Sequence, residues 1–371
     1  MTPPPIAEIV VDLDAIRANL RQLAGSVHGT QVMAVVKADG YGHGMIEVSR
    51  AAREAGVAWL GVATPDEARA LRAAGDAGRI LCWLADPDEE YADLVAAGVD
   101  LTAYTPVEVQ TIQEAARTAG TAARLQLKFD TGLSRGGAER DLWPALVEAA
   151  VQAPDVTVTG LWSHFACSDE PEHPANAAQE AAFREALELA ERAGIEAEVR
   201  HLANSAGALL RPSARFDLVR FGIAAYGLTP APAIASSDQL GLTPAMTVRG
   251  RLVVAKDIPA GAGVSYGHTF IAPEDMRVGV VPMGYGDGIP RHASRRAEVQ
   301  VGGRRGALLG TVCMDQFVVA APDAAVGDEV LLFGNGSRGE PTADDWARWC
   351  ETINYEIVTR IGGRQQRTYL G

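Results

Sequence analysis

Eight short apolar runs, spaced through the first two thirds of the chain and separated by helical stretches, set the strongest limit on the fold. They lie near residues 33–37, 58–63, 79–84, 100–104, 124–130, 157–165, 196–202 and 217–221. Between them the periodicity is helical. Residues 66–75 (Asp-Glu-Ala-Arg-Ala-Leu-Arg-Ala-Ala-Gly) end in a glycine suited to a C-terminal cap, and residues 177–194 set charges on one face and Ala, Leu and Phe on the other. Eight strands interleaved with helices point to an α/β fold, a parallel (β/α)8 barrel of the TIM type rather than an open sheet.

The alternation breaks at Thr229-Pro230-Ala231-Pro232, and the stretch through Pro244 is rich in Pro, Ser and Gly. That composition reads as an interdomain linker. Beyond it the period becomes β-like, with strands expected at 246–255, 278–282, 297–301, 317–321 and 330–333 and one short helix at 342–352. The early run Ile6-Ala7-Glu8-Ile9-Val10-Val11 precedes the first barrel helix and is expected to pair with the β domain. The expected division is a barrel over residues 12–238 and a mainly β domain built from 1–11 and 239–371.

Bulk properties exclude several classes of function. With 33 basic and 47 acidic residues the chain carries −14, which argues against nucleic acid or an anionic membrane as partner. It shows no apolar run of about 18 residues that would span a bilayer. The N-terminus lacks the basic-then-apolar pattern of a secretory signal. Cys82, Cys167, Cys313 and Cys350 have no metal-ligand spacing, and neither do the seven histidines, so no metal is expected. Reduced thiols and a cytoplasmic location are the default expectation.

Function in such a barrel sits at the C-terminal ends of its strands. Lys37 closes the first, Val32-Met33-Ala34-Val35-Val36, and opens Ala38-Asp39-Gly40-Tyr41-Gly42-His43-Gly44. A buried strand desolvates the amine and lowers its pKa, while glycines let backbone approach a bound group closely. Such an amine suits a Schiff base, the linkage that holds pyridoxal phosphate. The plainer alternative is a lysine reaching from a strand end to water. Other strand ends are also polar: Trp83 after the third, Lys128 and then Arg135 after the fifth, His164 after the sixth, His201 to Gly207 after the seventh, and Arg220 at the eighth. The loops after strands seven and eight often bind phosphate, and Ser205 with the backbone of Gly222 and Ile223 fits an anion cradle. Ser205 fits a helix N-cap equally well. Arg220 is placed to face a cofactor ring nitrogen, or to form a structural ion pair.

These segments together resemble the alanine racemases. Ala34 to Gly44 is similar to that family's pyridoxal phosphate attachment motif, and the likeness continues through Lys128-Phe129-Asp130-Thr131-Gly132, His201 to Gly207, Val219 to Gly227, Val264-Ser265-Tyr266-Gly267, Met283 to Gly288, Cys313-Met314-Asp315-Gln316 and Ile353-Asn354-Tyr355-Glu356. The resemblance implies interconversion of L-alanine and D-alanine, with D-alanine serving peptidoglycan, by a homodimer whose sites draw on both subunits. Racemisation removes the α-proton from one face and returns it on the other, so two bases are needed. By resemblance they are Lys37 and Tyr266 of the other subunit. A free tyrosine has a pKa near ~10, so a working phenolate needs positive charge or donors nearby; the family's His164, Arg220 and His201 imply such a chain. Tyr41, Ser205 and Tyr355 match phosphate contacts, with Asn204, Gly222 and Ile223 also near the cofactor; Trp83, where the family also carries smaller apolar residues, either packs near the cofactor or fills the barrel mouth. Lys128 matches a carbamylated lysine (N6-carboxylysine) holding Arg135, which meets the substrate carboxylate or the cofactor's phenolic oxygen; the alternative is an unmodified Lys128 paired with Asp130 or another acid. Met314 and Asp315 match residues bordering that carboxylate from the partner, and Tyr285 one at the site entrance. A pyridoxal phosphate-dependent decarboxylase of the same architecture pairs the ring nitrogen with an acid, unlike Arg220. A non-catalytic pyridoxal phosphate homeostasis protein lacks the β domain.

Overall fold

All eight expected runs form strands of one parallel sheet: Gln31–Val35, Trp59–Val62, Arg79–Cys82, Asp100–Ala103, Ala123–Lys128, Val156–Trp162, Val199–His201 and Leu218–Phe221. The computed structural model describes residues 5–84 and 88–371, and pairs these strands in chain order, with the last lying beside the first. Between the seventh and eighth, two bonds of 3.0 Å draw the barrel together, from Asp217 N–H to Arg200 O and from Arg220 N–H to Ala203 O. Strands covered on both faces read as continuous apolar runs, which is why they were visible in the sequence.

Local chemistry fixes the helix starts. Pro65–Ala73 begins at Thr64, whose hydroxyl accepts from Glu67 N–H while the Glu67 carboxylate accepts from Thr64 N–H; Thr105 and Glu108 repeat this at Pro106–Ala119. The helix expected at 177–194 starts three residues earlier and spans Pro174–Arg192, because His173 Nδ1 accepts from Ala175 N–H and proline suits the first turn.

The C-terminal third contributes most of a nine-stranded sheet. Across it run Val254–Ile258, Met276–Val281, Phe317–Ala320, Arg304–Leu309, Glu298–Val301, Glu329–Phe333, Met246–Arg251, Ala7–Asp12 and Gln366–Leu370. The early strand thus joins the β sheet, antiparallel to Met246–Arg251 and parallel to Gln366–Leu370. The four residues before Pro5 lie outside the described residues. The single strand expected at 246–255 is two strands, since buried Leu252 turns its N–H to Asp328 O. Strands Arg304–Leu309 and Gln366–Leu370 and helix Asn354–Arg360 were not anticipated. The first two carry arginines among few apolar residues, and the helix starts at Ile353 without a side-chain cap. The crossing at 229–244 is packed rather than loose: Asn19 bonds both N–H and C=O of Thr243, and Asn354 Nδ2 donates to Thr229 O at 2.9 Å.

Candidate active site

Lys37 follows the first barrel strand and ends with its Nζ 5.6 Å from the centre of the Trp83 ring. Among the described residues its amine has no ion pair or hydrogen bond. Burial, then the charges of Arg135 and Arg220, lower its pKa against an opposing contribution from Glu67. The segment after it is not a flexible glycine loop. Ala38, Asp39, Gly40 and Tyr41 all take left-handed backbone, with φ of 53°, 52°, 61° and 52°. Each non-glycine residue there costs roughly 1–2 kcal/mol, so the turn persists only because its surroundings hold it. Glu67 accepts from Ala38 N–H at 2.7 Å, Asp39 from Met45 N–H at 2.9 Å, and His43 Nδ1 donates to the Tyr41 and Gly40 carbonyls.

Tyr41 leaves that turn and points its hydroxyl at Gly222. A Cβ at Gly222 would lie 2.4 Å from Tyr41 Oη, so only glycine lets the Tyr41 hydroxyl come this close to the backbone. The Gly222 N–H meets buried Ser205 Oγ at 2.9 Å, and Ile223 follows in sequence. Tyr355 lies across from Tyr41, ring centres 6.2 Å apart. Burial raises the pKa of both phenols, so both keep their protons and can donate to an anion. The helix cap belongs to Asn204 rather than Ser205: Asn204 Oδ1 accepts from Gly207 N–H at 3.0 Å and from Ser168 Oγ at 2.8 Å.

Arg220 is buried and donates in four directions, to Ser163 O, Leu202 O, His164 Nδ1 and His201 Nδ1, at 2.8–3.1 Å. No carboxylate partners it among the described residues, so the structural ion pair is absent. Burial pushes its guanidinium down to about 9, still protonated at neutral pH. A guanidinium has no acceptor, so both histidines must offer bare Nδ1 lone pairs to it. His201 therefore carries its proton on Nε2 and donates to Gln126 Oε1 at 2.7 Å. Gln126 Nε2 reaches Asp100, which Arg79 and Arg124 also hold. Burial first, and Arg220 second, hold the pKa of both histidines well below the usual value, so both are neutral.

Lys128 lies 4.5 Å from the Trp162 ring centre and 5.2 Å from that of Tyr104, with Trp162 stacked on His201. Its amine, pushed down to about 8 by burial and then by Arg220 and Arg135, is unpaired among the described residues. The alternative pairing with Asp130 is not formed, because Asp130 accepts from the N–H groups of Gly132, Leu133 and Ser134. Arg135 is exposed and has no carboxylate partner among the described residues.

The remaining expected residues lie elsewhere. Tyr266, Tyr285, Met314 and Asp315 line one open cavity of about 660 Å³ whose walls come wholly from residues 265–318. Tyr266 is 74% exposed and Met314 54%. Asp315 pairs with Arg364 at 2.8 Å, which in turn grips buried Asp287. The single chain thus builds two separate clusters, a barrel mouth and a β-domain patch, and Tyr266 lines the second without Lys37. The chain of donors runs from Arg220 through His201 and Gln126 down to Asp100, while His164 accepts from Arg220 at its head. Sequence reasoning missed Gln126, Trp162 and Tyr104. The signal for Gln126 was present, since it shares with Lys128 the inward face of an alternating strand, Leu125-Gln126-Leu127-Lys128.

Family models for the alanine racemase N-terminal domain and C-terminal domain match residues 11–230 and 245–369. The chain belongs to the alanine racemase family. It is 52% identical to the alanine racemase of Frankia casuarinae, over 97% of this chain and 95% of that one. The crystal structure of alanine racemase from D-cycloserine producing Streptomyces lavendulae superposes with a TM-score of 0.98 at 50% identity, covering 99% of this chain and 98% of that one. Alanine racemase from Streptomyces coelicolor gives 0.97 at 50% identity, with 98% of each chain covered. An alanine racemase is an isomerase of a small amino acid, and no described helix is long and apolar enough to cross a membrane.

Proposed function

We propose that the enzyme interconverts L-alanine and D-alanine with pyridoxal phosphate held at the barrel mouth, and that D-alanine for peptidoglycan is its product in the cell. One observation carries the cofactor reading: Lys37 presents a half-buried, unpaired amine of lowered pKa where nothing in the fold requires it. The remaining residues fit the group. The cluster of Tyr41, Tyr355 and Ser205 around the Gly222 backbone suits a phosphate, and Arg220 is the fixed cation suited to a ring nitrogen. When bound, pyridoxal phosphate supplies an electron-withdrawing ring that stabilises the charge left on an α-carbon that has lost its proton.

This chain's residues do the rest. Lys37, neutral once released from the cofactor, takes or returns the α-proton on one face. Tyr266 of a second copy does so on the opposite face, since one base cannot serve both. The open, apolar-rimmed cavity around Tyr266, Tyr285 and Met314 supports a homodimer in which each β-domain patch closes the other copy's barrel mouth. Arg135, an unpaired cation beside Lys37 and Lys128, binds the substrate carboxylate, with Met314 and Asp315 of the second copy bordering it. Lys128 takes up carbon dioxide through its neutral amine, and the resulting carbamate holds Arg135. Residues 12–238 act as the cofactor domain, with 1–11 and 239–371 as the domain lent to the partner.

The test is α-proton exchange and inversion of each pure alanine enantiomer in deuterated water. Wild type should exchange and invert both; Lys37→Ala and Tyr266→Phe should each lose racemisation by at least about a hundredfold. If the pyridoxal phosphate-loaded wild type neither exchanges nor inverts either enantiomer, the reading fails.

A further inference from the structure

Four consecutive left-handed residues directly after Lys37 need something to hold them, and the structure supplies it from the far end of the chain. Arg367 lies on the edge strand Gln366–Leu370, which is secured beside Ala7–Asp12; there Thr368 Oγ1 donates to Glu8 at 2.6 Å. Its Nη2 meets Asp39 Oδ2 at 2.7 Å, and its Nε donates to Gly42 O at 2.9 Å. One planar guanidinium therefore grips both ends of the segment that carries Tyr41. Asp39 uses its other oxygen to accept from Met45 N–H at 2.9 Å, tying the turn to the next helix. The fit is close. A Cβ at Gly42 would lie 2.4 Å from Val358 O, and one at Gly44 would lie 2.0 Å from Tyr369 Oη.

We propose that Arg367 and Asp39 are positioning residues: the last strand of the chain clasps the left-handed turn and so sets Tyr41, and with it the phosphate end of the cofactor site, relative to Lys37. The inference rests on the pyridoxal phosphate reading above. An exposed ion pair alone is worth little. Here the guanidinium also takes the Gly42 carbonyl, and its rigid fork cannot be replaced by a point charge.

The consequence is a β domain that acts on the cofactor twice. It lends a patch to the partner, and it fixes the attachment loop of its own barrel. Loosening the clasp frees the turn to relax towards ordinary backbone, which moves Tyr41 away from Gly222 without touching any group that contacts substrate.

The test compares holoenzyme carrying Arg367→Met, Arg367→Lys, Asp39→Asn and the Arg367→Met/Asp39→Asn pair. Cofactor retention is followed by equilibrium dialysis, backbone exchange of residues 38–44 by mass spectrometry, and melting on chain freed of cofactor. Arg367→Met should weaken pyridoxal phosphate binding about tenfold or more and speed exchange in 38–44 by a similar factor, with melting unchanged; the double variant should bind within about twofold of Arg367→Met, because both changes break one device. Arg367→Lys should fall between wild type and Arg367→Met. Binding and exchange within about twofold of wild type in Arg367→Met, losses that multiply in the double variant, or losses that appear only with a lowered melting temperature would each overturn the clasp. Wild type that fails to take up pyridoxal phosphate at all would overturn the cofactor reading, and the clasp's role with it.

Discussion

At the scale of single residues, the barrel mouth is a set of groups held in the protonation state that burial dictates. Lys37, half-buried, and Lys128, buried, carry amines beside Arg135 and Arg220, and each is driven toward the neutral form that a nucleophile needs. Arg220 is pushed down as well, to about 9, yet it stays protonated at neutral pH and its protons have four acceptors. On the cofactor reading proposed above, a ring nitrogen facing it would stay unprotonated, which would weaken the ring as an electron sink and restrain side reactions. Arg220→Glu should therefore raise the rate of transamination per turnover by about tenfold or more, followed as pyruvate formed from alanine; an unchanged ratio would refute the role.

The buried histidines make a second prediction. Burial lowers the pKa of His43 to about 4 and holds those of His164 and His201 well below the usual value. Their folded values lie below the unfolded value, so as the pH falls the unfolded chain binds protons first. Stability is complete above the unfolded range near ~6.5 and is lost on acidification, with His43 alone accounting for roughly 3 kcal/mol by pH 4. The melting temperature should fall steadily from pH 7 to pH 5, and His43→Asn should fall less; equal falls would count against it.

At the scale of elements, a few backbone positions carry the site. Gly222 is the clearest, because its missing side chain is what lets the Tyr41 hydroxyl sit against the backbone there. Gly222→Ala should weaken pyridoxal phosphate binding by about tenfold or more, since the added methyl would lie 2.4 Å from Tyr41 Oη and 3.0 Å from its Cζ and must displace that ring. Retained affinity would place the phosphate elsewhere. Element boundaries were legible where capping chemistry is local, as at Thr64-Glu67 and Thr105-Glu108. They were not legible at Lys37 to Tyr41. No local rule sets Ala38 and Asp39 in left-handed backbone, and the contacts that hold them come from Glu67, Met45 and Arg367.

At the scale of the whole molecule, the two half-sites make a statement about assembly. If each site takes Lys37 from one copy and Tyr266 from another, Lys37→Ala and Tyr266→Phe chains mixed at equal amounts will form mixed dimers that hold one site with both defects and one with neither. Statistical pairing then restores about a quarter of wild-type activity from two inactive proteins. No recovery after subunit exchange, shown to have occurred by tagged chains, would argue that each site is built within one copy.

What the amino-acid order determined by itself is whatever depends on near neighbours and on solvent: eight apolar strands with helical spacers, the switch to β alternation, and chemistry gathered at strand ends. The family motif added the remaining names by resemblance. Tertiary structure alone decided three things. It showed that Gln126 and Asp100 stand beneath Arg220, that Arg367 clasps a turn more than three hundred residues earlier in the chain, and that Tyr266 lies on a surface apart from Lys37. The reason is physical: hydrophobic periodicity is a local signal, but which buried polar groups satisfy one another is settled only when distant segments meet, and no pattern of spacing records it.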